Sequence, residues 1–333
     1  MSNNLLGRDI ITKGKARKSD EEFFNESLKS FFSKGKKLME IHPDIADEYN
    51  DHSLLKLISI AYWVGIFTPI AHRQLKDKYG YEVVYVDTMA GSGVTRTKRA
   101  KDYLCGSCPA ALSAALRKGF PFDKIIGVEI DPEKANVLRL RLKSLFPNQP
   151  IYIYEKDILK VSHLIVNKIK TNSISYIVID PQALKGMTWA AIGPLLQCKG
   201  DAMVTWFEDR IWRVKEAALS EGKSSKGNAQ RLTELLGSEV WRTADLPSDL
   251  TAHFVNRVLT ETEKSVVRSV DIIDYSGAHY KMILFVGRCP NANRLAEEWR
   301  KHMKKRLGSD KGKNIAKLLD KKAGRIADLR RFN

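Results

Sequence analysis

A short apolar run, an acid and a Gly-x-Gly turn at residues 83–93 constrain the fold of this chain more than any other stretch. The run Val-Val-Tyr-Val has the composition of a strand buried on both faces. Asp87 closes the strand, and Gly91 and Gly93 allow a tight turn and a close approach of the backbone to a ligand. Dinucleotide turns place Gly-x-Gly-x-x-Gly directly at the strand end, without an acid. The stretch therefore predicts a ligand turn in an α/β protein and disfavours a dinucleotide; an ordinary strand-to-helix turn is the alternative.

Further acids stand at the ends of the apolar runs that follow. The predicted strands at 124–131, 151–154, 176–179 and 202–207 are accompanied by Glu129, Asp157, Asp180-Pro181 and Glu208. Strands and helices alternate from 83 to 208, which predicts a parallel, doubly wound sheet. Ligands of such sheets bind at the carboxyl ends of the strands. We therefore expect these acids on one ligand-binding edge, although polar residues also end strands without any function.

The remaining segments predict a sheet with flanking helical pieces. Two apolar runs at 266–275 and 280–286, joined by a short polar link, indicate an antiparallel hairpin. The fold class is therefore α/β: a Rossmann-like doubly wound, mostly parallel seven-stranded sheet with a terminal antiparallel hairpin, a helical N-terminal cap and a helical insertion. The predicted pieces are a flexible basic arm at 1–20, the cap at 21–80, the core at 81–208 and 263–290, the insertion at 209–262 and a basic C-terminal helix and tail at 291–333.

Three local features of these pieces carry expectations of their own. Pro69 is expected to end or kink the second helix of the cap. Residues 94–106 are expected to form a long basic loop beside the glycine turn. The insertion is expected to lie over the edge of the sheet that carries the acids.

The net charge of +17 over 333 residues predicts a polyanionic partner. From Arg288 to the end the chain holds 15 basic and 5 acidic residues, so more than half of the excess lies there. Nucleic acid is the favoured partner, with RNA ahead of DNA; solvated basic faces are the alternative. No apolar stretch predicts a membrane span or a secretory signal, and no membrane partner is expected. Four cysteines in this length suggest a reducing, cytoplasmic location.

Cys105-x-x-Cys108 is half of a zinc or redox motif. No second pair follows, because Cys198 and Cys289 are isolated in the sequence. The cysteines are therefore expected to be inert loop residues, with no metal site; a redox pair or disulfide and metal binding are the alternatives.

Together these stretches resemble the class I methyltransferases that use S-adenosylmethionine (SAM), and more narrowly the three-Cys-motif partner protein (TcmP) family. The matching stretches, within about 52–210, are His52 with Lys56, residues 85–93, Gly106-Ser107-x-Pro109, residues 128–131 and Ile179-Asp180-Pro181. The chain departs at Met89, where many relatives have Phe, and at Gln182, where Tyr or Gly is more usual. The family name refers to cysteines of a partner protein, so the cysteines of this chain inherit no role from it.

The resemblance implies SAM as the cofactor. Asp87 would lie near its amine, Glu129 would hold the ribose and Asp157 the adenine. The cofactor-binding residues that the resemblance implies are Asp87, Met89, Ala90, Gly91, Gly93, Glu129, Ile130, Asp157, Ile158 and Asp180.

Asp180 and Pro181 stand where aminomethyltransferases carry Asp-Pro-Pro-Tyr, so the resemblance implies a catalytic role for both. The acid would accept a hydrogen bond from an exocyclic amine and aim the nitrogen lone pair at the methyl group. This chain lacks the aromatic residue that stacks on a flipped base, and Trp189 or Trp206 is a candidate to replace it. Asp180 as a general base, or as a cofactor contact only, remains an alternative.

Basic and aromatic side chains beside the predicted site are candidates to bind a nucleic acid. They are Arg96, Lys98, Arg99, Trp189, Arg210, Trp212 and Arg213. Core packing of Trp206 and Trp212 is the structural alternative. The predicted function is SAM-dependent methyl transfer to nucleic acid, with RNA and a base nitrogen favoured. A non-catalytic nucleic-acid-binding protein and a methyltransferase acting on a protein, such as a three-Cys-motif partner, are the alternatives; the oligomeric state is open.

Overall fold

The structure is a computed structural model that describes residues 20–49, 53–97, 102–181, 184–220, 222, 225–273 and 279–307. Several predictions lie outside these residues. They concern the basic arm at 1–19, the side chains of Lys98, Arg99 and Gln182, the hairpin turn at 274–278 and the tail at 308–333.

One seven-stranded sheet forms the centre of the protein. The strands among the described residues are β1 (Asp47–Tyr49), β2 (Glu82–Asp87), β3 (Val94–Thr97), β4 (Tyr103–Cys105), β5 (Lys124–Val128), β6 (Ile151–Tyr154), β7 (Ser173–Ile179), β8 (Gly200–Trp206), β9 (Lys264–Ile273) and β10 (His279–Gly287). The large sheet has the order β6-β5-β2-β7-β8-β10-β9. Its pairs are parallel except those of β10, which runs antiparallel to β8 and β9. The predicted sheet and its terminal hairpin are confirmed.

Helices cover both faces of this sheet, as a doubly wound fold requires. They are α1 (Asp20–Ile41), α2 (Ser53–Ala71), α3 (Asp77–Tyr79), α4 (Ser107–Arg117), α5 (Pro132–Leu145), α6 (Ile158–Lys168), α7 (Trp189–Leu196), α8 (Glu208–Leu219), α9 (Ser225–Leu236), α10 (Pro247–Glu261) and α11 (Ala292–Leu307). One apolar core lies between the sheet and α1, α2, α4, α5 and α11, and a second lies between the sheet and α6 to α10. Alternate residues of each strand enter the two cores, which fixes the register of the sheet.

The second helix of the cap packs deep in the first core. Residues Leu54–Tyr79 are long and apolar enough to cross a membrane by length and composition, but 61% of the apolar 18-residue window within them is buried inside the protein. Trp63 donates a hydrogen bond to Asp201 at 3.0 Å, and Phe67 packs on Tyr176 of the sheet. These contacts are those of a core helix. Pro69 does not end α2, which continues to Ala71 and then forms a π-helical turn at His72–Lys76.

A second, three-stranded sheet lies next to the glycine turn. In it β3 pairs with β1 in parallel and with β4 in antiparallel orientation. The prediction of one long loop at 94–106 is therefore wrong. Strands of three or four residues are too short to produce a clear periodic pattern, and here they form because β1, from the cap, supplies a partner.

The segment predicted as an insertion mostly covers one face of the large sheet. Leu235 and Trp241 pack in the same core as Trp206, and Phe254 of α10 stacks on Trp206 with ring centroids 4.5 Å apart. The start of α8, which follows β8 directly, lies at the carboxyl edge. The apolar faces of α9 and α10 bury the sheet, and the position of the insertion over that edge stays a prediction.

Candidate functional site

The glycine turn after β2 has a shape that only glycine can adopt. Gly91 and Gly93 have φ angles of 61° and 81°. A Cβ atom on Gly91 would lie 2.5 Å from Asp47 Oδ2, and one on Gly93 would lie 2.9 Å from Leu138 Cδ1. Both the backbone conformation and the lack of space therefore require glycine at these two positions.

Asp87, at the end of β2, holds this turn through hydrogen bonds. Its carboxylate is fully buried and accepts hydrogen bonds from the Tyr85 hydroxyl at 3.1 Å and from the Met89 amide at 3.3 Å. Burial raises the pKa of the Asp87 carboxyl, and the negative charge of Asp180 raises it further, while a hydrogen bond from Ser107 acts in the opposite direction. The acid therefore organises the turn through bonds within the chain, and the charge of Asp180 acts on it.

The two cysteines of the Cys-x-x-Cys stretch are buried free thiols. Cys108 Sγ lies 3.6 Å from Asp87 Oδ2, as a weak hydrogen-bond donor. Burial raises the pKa of Cys105 to about 12 and raises the pKa of Cys108 well above its usual value. A thiol must lose its proton to bind metal or to attack a disulfide. These thiols stay protonated, which favours the interpretation of inert cysteines, but they lie in β4 and α4 and not in a loop.

Glu129 stands at the carboxyl end of β5, next to the turn. Its Oε1 accepts a hydrogen bond from the Asp131 amide at 3.0 Å, and Asp131 in turn caps α5. Ile130, between them, has 64% of its surface exposed. An exposed apolar side chain beside a partly exposed carboxylate can contact a flat apolar group and a hydroxyl at the same time.

Asp157 and Ile158, after β6, form the start of α6. Asp157 caps this helix by accepting a hydrogen bond from the Leu159 amide at 3.0 Å. The side chain of Ile158 is only 4% exposed and belongs to the second core. The predicted cofactor contact of Ile158 stays a prediction, and its buried side chain leaves the backbone as the group that would make it.

Asp180 at the end of β7 is paired with a lysine from the cap. Lys56 Nζ, on α2, lies 2.5 Å from Asp180 Oδ2, and the two side chains are 12% and 25% exposed. Asp180 Oδ1 is also buried but has no hydrogen-bond partner among the described residues. One oxygen of this carboxylate is thus fixed, and the other can accept a hydrogen bond from a ligand.

The strand order decides the fold of the sheet. From one edge, the order is third, second, first, fourth, fifth, seventh and sixth strand of the large sheet, with the seventh antiparallel between the fifth and sixth. This is the class I methyltransferase fold.

Comparison with solved structures gives distant matches. The chain is similar to the bifunctional kinase-methyltransferase WbdD (13% identity over 75% of this chain and 46% of WbdD, TM-score 0.39). It is similar to an rRNA methylase from Streptococcus thermophilus (9% identity over 70% of this chain and 95% of the methylase, TM-score 0.37). It is also similar to magnesium protoporphyrin IX methyltransferase from Synechocystis PCC 6803 with bound SAM (10% identity over 83% of this chain and 100% of that protein, TM-score 0.37). The chain spans about half the length of WbdD.

No protein-family model matches the chain, and no curated protein sequence does either. At the identities and TM-scores above, the structural matches carry no weight for activity or substrate. The assignment of the methyltransferase fold rests on the strand order of this protein itself.

The described substrate-binding candidates all contact neighbouring side chains or backbone. Arg96 lies 3.9 Å from Glu48, the Arg257 guanidinium covers the Trp189 ring at 4.0 Å, and Trp212 donates to Glu216 at 3.0 Å. Arg210 covers the Phe207 ring, and Arg213 donates to the Asp209 carbonyl. Arg210, Trp212 and Arg213 share the first turns of α8, at the carboxyl edge of the methyltransferase sheet. Their contact with nucleic acid stays a prediction.

Trp206 cannot stack on a base. Its side chain is fully buried and packs on Phe254 in the second core. The candidate replacement of the missing aromatic by Trp206 is therefore wrong, because a residue of β8 on this face of the sheet is covered by α10. Trp189, at the start of α7 and partly exposed, stays a candidate.

Three site residues escaped sequence analysis because their contacts are distant along the chain. Lys56 is 124 residues from Asp180, Asp47 is 45 residues from Ser92, and Arg141 is 49 residues from the same serine. The family resemblance included Lys56 as a match but gave it no role. No local pattern marks Asp47 or Arg141.

One further polar cluster lies at the carboxyl edge. Glu208, Asp271 and His279 are close enough to hold a metal ion. However, Lys281 pairs with Glu208 and lies 3.3 Å from Asp271, and Thr251 donates to Glu208. The ammonium of Lys281 already supplies the positive charge, so this cluster is an ion pair of the methyltransferase fold and carries no metal assignment.

Proposed function

We propose that this chain is a SAM-dependent methyltransferase that acts on nucleic acid, with RNA favoured and a base nitrogen as the acceptor. The observation that carries the proposal is the site geometry: a glycine turn after β2, flanked by strand-end acids, with a half-satisfied carboxylate at Asp180. Ligands of parallel sheets bind at this edge.

The residues at the carboxyl ends of β5 and β6 fit the adenosyl part of SAM. Glu129 uses one described hydrogen bond, through Oε1, so Oε2 can accept from a ribose hydroxyl. Exposed Ile130 offers an apolar surface for an adenine ring, and Asp157 retains Oδ2 for an amino group. When bound, SAM would supply a methyl group on a positively charged sulfur.

Asp180 would act on the methyl acceptor. Its Oδ1 can accept a hydrogen bond from an N–H of the acceptor group, which localises the nitrogen lone pair and orients it. Lys56 holds Oδ2 of the same carboxylate, so the carboxylate presents Oδ1 in one fixed direction. Positioning of this kind is a substantial part of catalysis when the methyl donor is already reactive.

A nucleic-acid substrate is favoured by charge. The net charge of +17 and the arginines of α8 beside the site suit a phosphate backbone. We also propose, from the sequence resemblance alone, a relation to the three-Cys-motif partner protein family and hence a protein partner of that kind. A cytoplasmic location belongs to the same proposal.

The test is to incubate the protein with radiolabelled SAM and, separately, total RNA, total DNA and a protein extract. We expect label in RNA, on an exocyclic base nitrogen after digestion to nucleosides. Label in protein alone would overturn the nucleic-acid assignment. Binding of SAM without transfer to any of the three would favour a non-catalytic binding protein, and absence of SAM binding would contradict the whole proposal.

A further inference from the structure

A carboxylate from the cap occupies the glycine turn. Asp47, in β1, is 4% exposed and accepts a hydrogen bond from the Ser92 amide at 2.7 Å through Oδ2. Its Oδ1 pairs with Lys134 Nζ at 2.8 Å. The same Oδ2 lies 2.5 Å from the position that a Cβ atom on Gly91 would take. Gly91 is therefore required twice, for its own φ angle and to admit the Asp47 carboxylate.

Arg141 holds the cap against the same turn from the other side. Its guanidinium is fully buried and donates to the Ser92 carbonyl at 2.8 Å, to the His42 carbonyl at 2.6 Å and to the Ile45 carbonyl at 2.6 Å. Both backbone groups of Ser92 are thus hydrogen-bonded: its N–H donates to Asp47, and its carbonyl accepts from Arg141. The segment 42–47 and the turn form one hydrogen-bonded unit.

These bonds change which groups of the turn a ligand can use. The Thr88, Met89 and Ala90 amides donate to Val178, Asp87 and Val128 within the chain. With Ser92 bonded to Asp47, the Gly91 and Gly93 amides are the ones for which no hydrogen bond is seen among the described residues. Consecutive amides in such a turn form an anion-binding nest, and here an anion of the chain itself lies against it.

We propose that Asp47 is a positioning residue for the cofactor turn, and that its carboxylate, rather than that of the cofactor, binds the Ser92 amide. This inference rests on the proposed SAM cofactor. Asp47 fixes the turn that receives the methionine part of the cofactor, because it supplies the acceptor for the Ser92 amide. The N-terminal cap is therefore a component of the cofactor site.

The test uses two ligands that differ in the methionine part. S-adenosylhomocysteine carries the amino-acid end, whereas 5′-methylthioadenosine carries only the adenosyl half. For Asp47→Ala we expect titration calorimetry to show S-adenosylhomocysteine binding weakened about tenfold or more, because the Ser92 amide loses its acceptor. Binding of 5′-methylthioadenosine should change by less than about twofold. Asp47→Asn, whose amide oxygen can still accept from Ser92, should restore most of the affinity.

A matched control separates this effect from a general loss of stability. Glu82 lies at the amino end of β2, on the strand that leads to the turn, and pairs with Lys124 at 2.7 Å. Glu82→Gln should lower the melting temperature while leaving the affinities for both ligands unchanged. Lys134→Met removes the ion-pair partner of Asp47 and leaves the Asp47 carboxylate in place. If Asp47→Ala does not fold, the two ligands are compared with this variant instead.

The outcomes distinguish the two proposals. The role of Asp47 would be overturned if Asp47→Ala lowered the affinity for both ligands equally, or left the affinity for S-adenosylhomocysteine unchanged. The proposed function would still stand in that case, provided that the wild-type protein binds both ligands. If the wild-type protein binds neither ligand, the proposed function fails and the cofactor role of Asp47 fails with it. Hydrogen exchange then still tests the contact itself, because Asp47→Ala should accelerate exchange at the Ser92 amide if the bond exists in solution.

Discussion

The two halves of the site differ in how far their buried polar groups are already satisfied. In the cofactor half, Asp87 receives hydrogen bonds from Tyr85 and Met89, and Asp47 receives one from Ser92. In the acceptor half, Asp180 has one partner, Lys56, and one buried oxygen without any among the described residues. The first half is held by the chain itself, whereas the second retains an acceptor for a group that the chain does not provide.

This difference indicates which half defines shape and which defines chemistry. Most buried polar atoms in folded proteins are paired, and leaving one unpaired costs about 1–3 kcal/mol. A carboxylate with one unbonded oxygen at the end of a central strand therefore points to a hydrogen-bond donor from a ligand, whereas a fully bonded carboxylate does not. Asp87 would fix the cofactor turn, and Asp180 would contact the reacting group.

The largest expected effect is that of Asp87→Ala on cofactor binding. The substitution leaves the Tyr85 hydroxyl and the Met89 amide without their acceptor under the turn. We expect affinity for S-adenosylhomocysteine to fall by about 100-fold or more, equivalent to about 2.7 kcal/mol, with a lower melting temperature. Calorimetry and thermal unfolding check this. An affinity within about threefold of wild type would break the comparison, since Asp87 would then not shape the cofactor half.

How much of this could be predicted from sequence depends on the distance between contacting residues. The run 83–86, its acid and its glycines are local, and they identified β2 and the turn correctly. The alternation of strands and helices likewise predicted the sheet, because short apolar runs between longer helical segments are typical of buried parallel strands.

The missed features depend on tertiary contacts. The strands β3 and β4 depend on pairing with β1, and no local pattern in 94–106 reveals it. Ile158 follows the acid Asp157 as Ile130 follows Glu129, yet only Ile130 is exposed: Ile130 precedes the N-cap of α5, whereas Ile158 is the first residue of α6. Lys56 and Asp47, which contact Asp180 and Ser92, are residues of the cap, which sequence analysis treated as a separate piece; Arg141, the second partner of Ser92, lies on α5.

Asp180→Ala should show the reverse of the Asp87 result. Because its Oδ1 has no partner within the described chain, its loss should remove methyl transfer while changing cofactor affinity by less than about tenfold, or about 1.4 kcal/mol. Transfer of label from SAM to RNA and calorimetry with S-adenosylhomocysteine measure the two quantities separately. Loss of binding together with transfer would make Asp180 a cofactor contact, and the two halves would no longer differ in role.

Lys56→Met should have a smaller effect on transfer than loss of Asp180. Without the ammonium, Asp180 keeps its acceptor oxygen but loses its fixed orientation. We expect the transfer rate to fall by about tenfold, or about 1.4 kcal/mol, with little change in cofactor affinity. Lys56→Arg, which retains a cation that donates hydrogen bonds, should restore part of the rate. A methionine variant as active as wild type would show that the pair serves only to join α2 to the sheet.

The smallest expected effect concerns the apolar contact of the cofactor half. Ile130 is 64% exposed in the free protein, so Ile130→Ala should leave the melting temperature almost unchanged. If an adenine ring covers this side chain, the loss of buried apolar surface should weaken 5′-methylthioadenosine binding by about three- to tenfold, or about 0.7–1.4 kcal/mol. Leu140→Ala, at a similarly exposed leucine of α5, is the matched control and should bind as wild type. Equal behaviour of the two variants would mean that the adenosyl group does not contact Ile130 and that the cofactor half is defined by the turn alone.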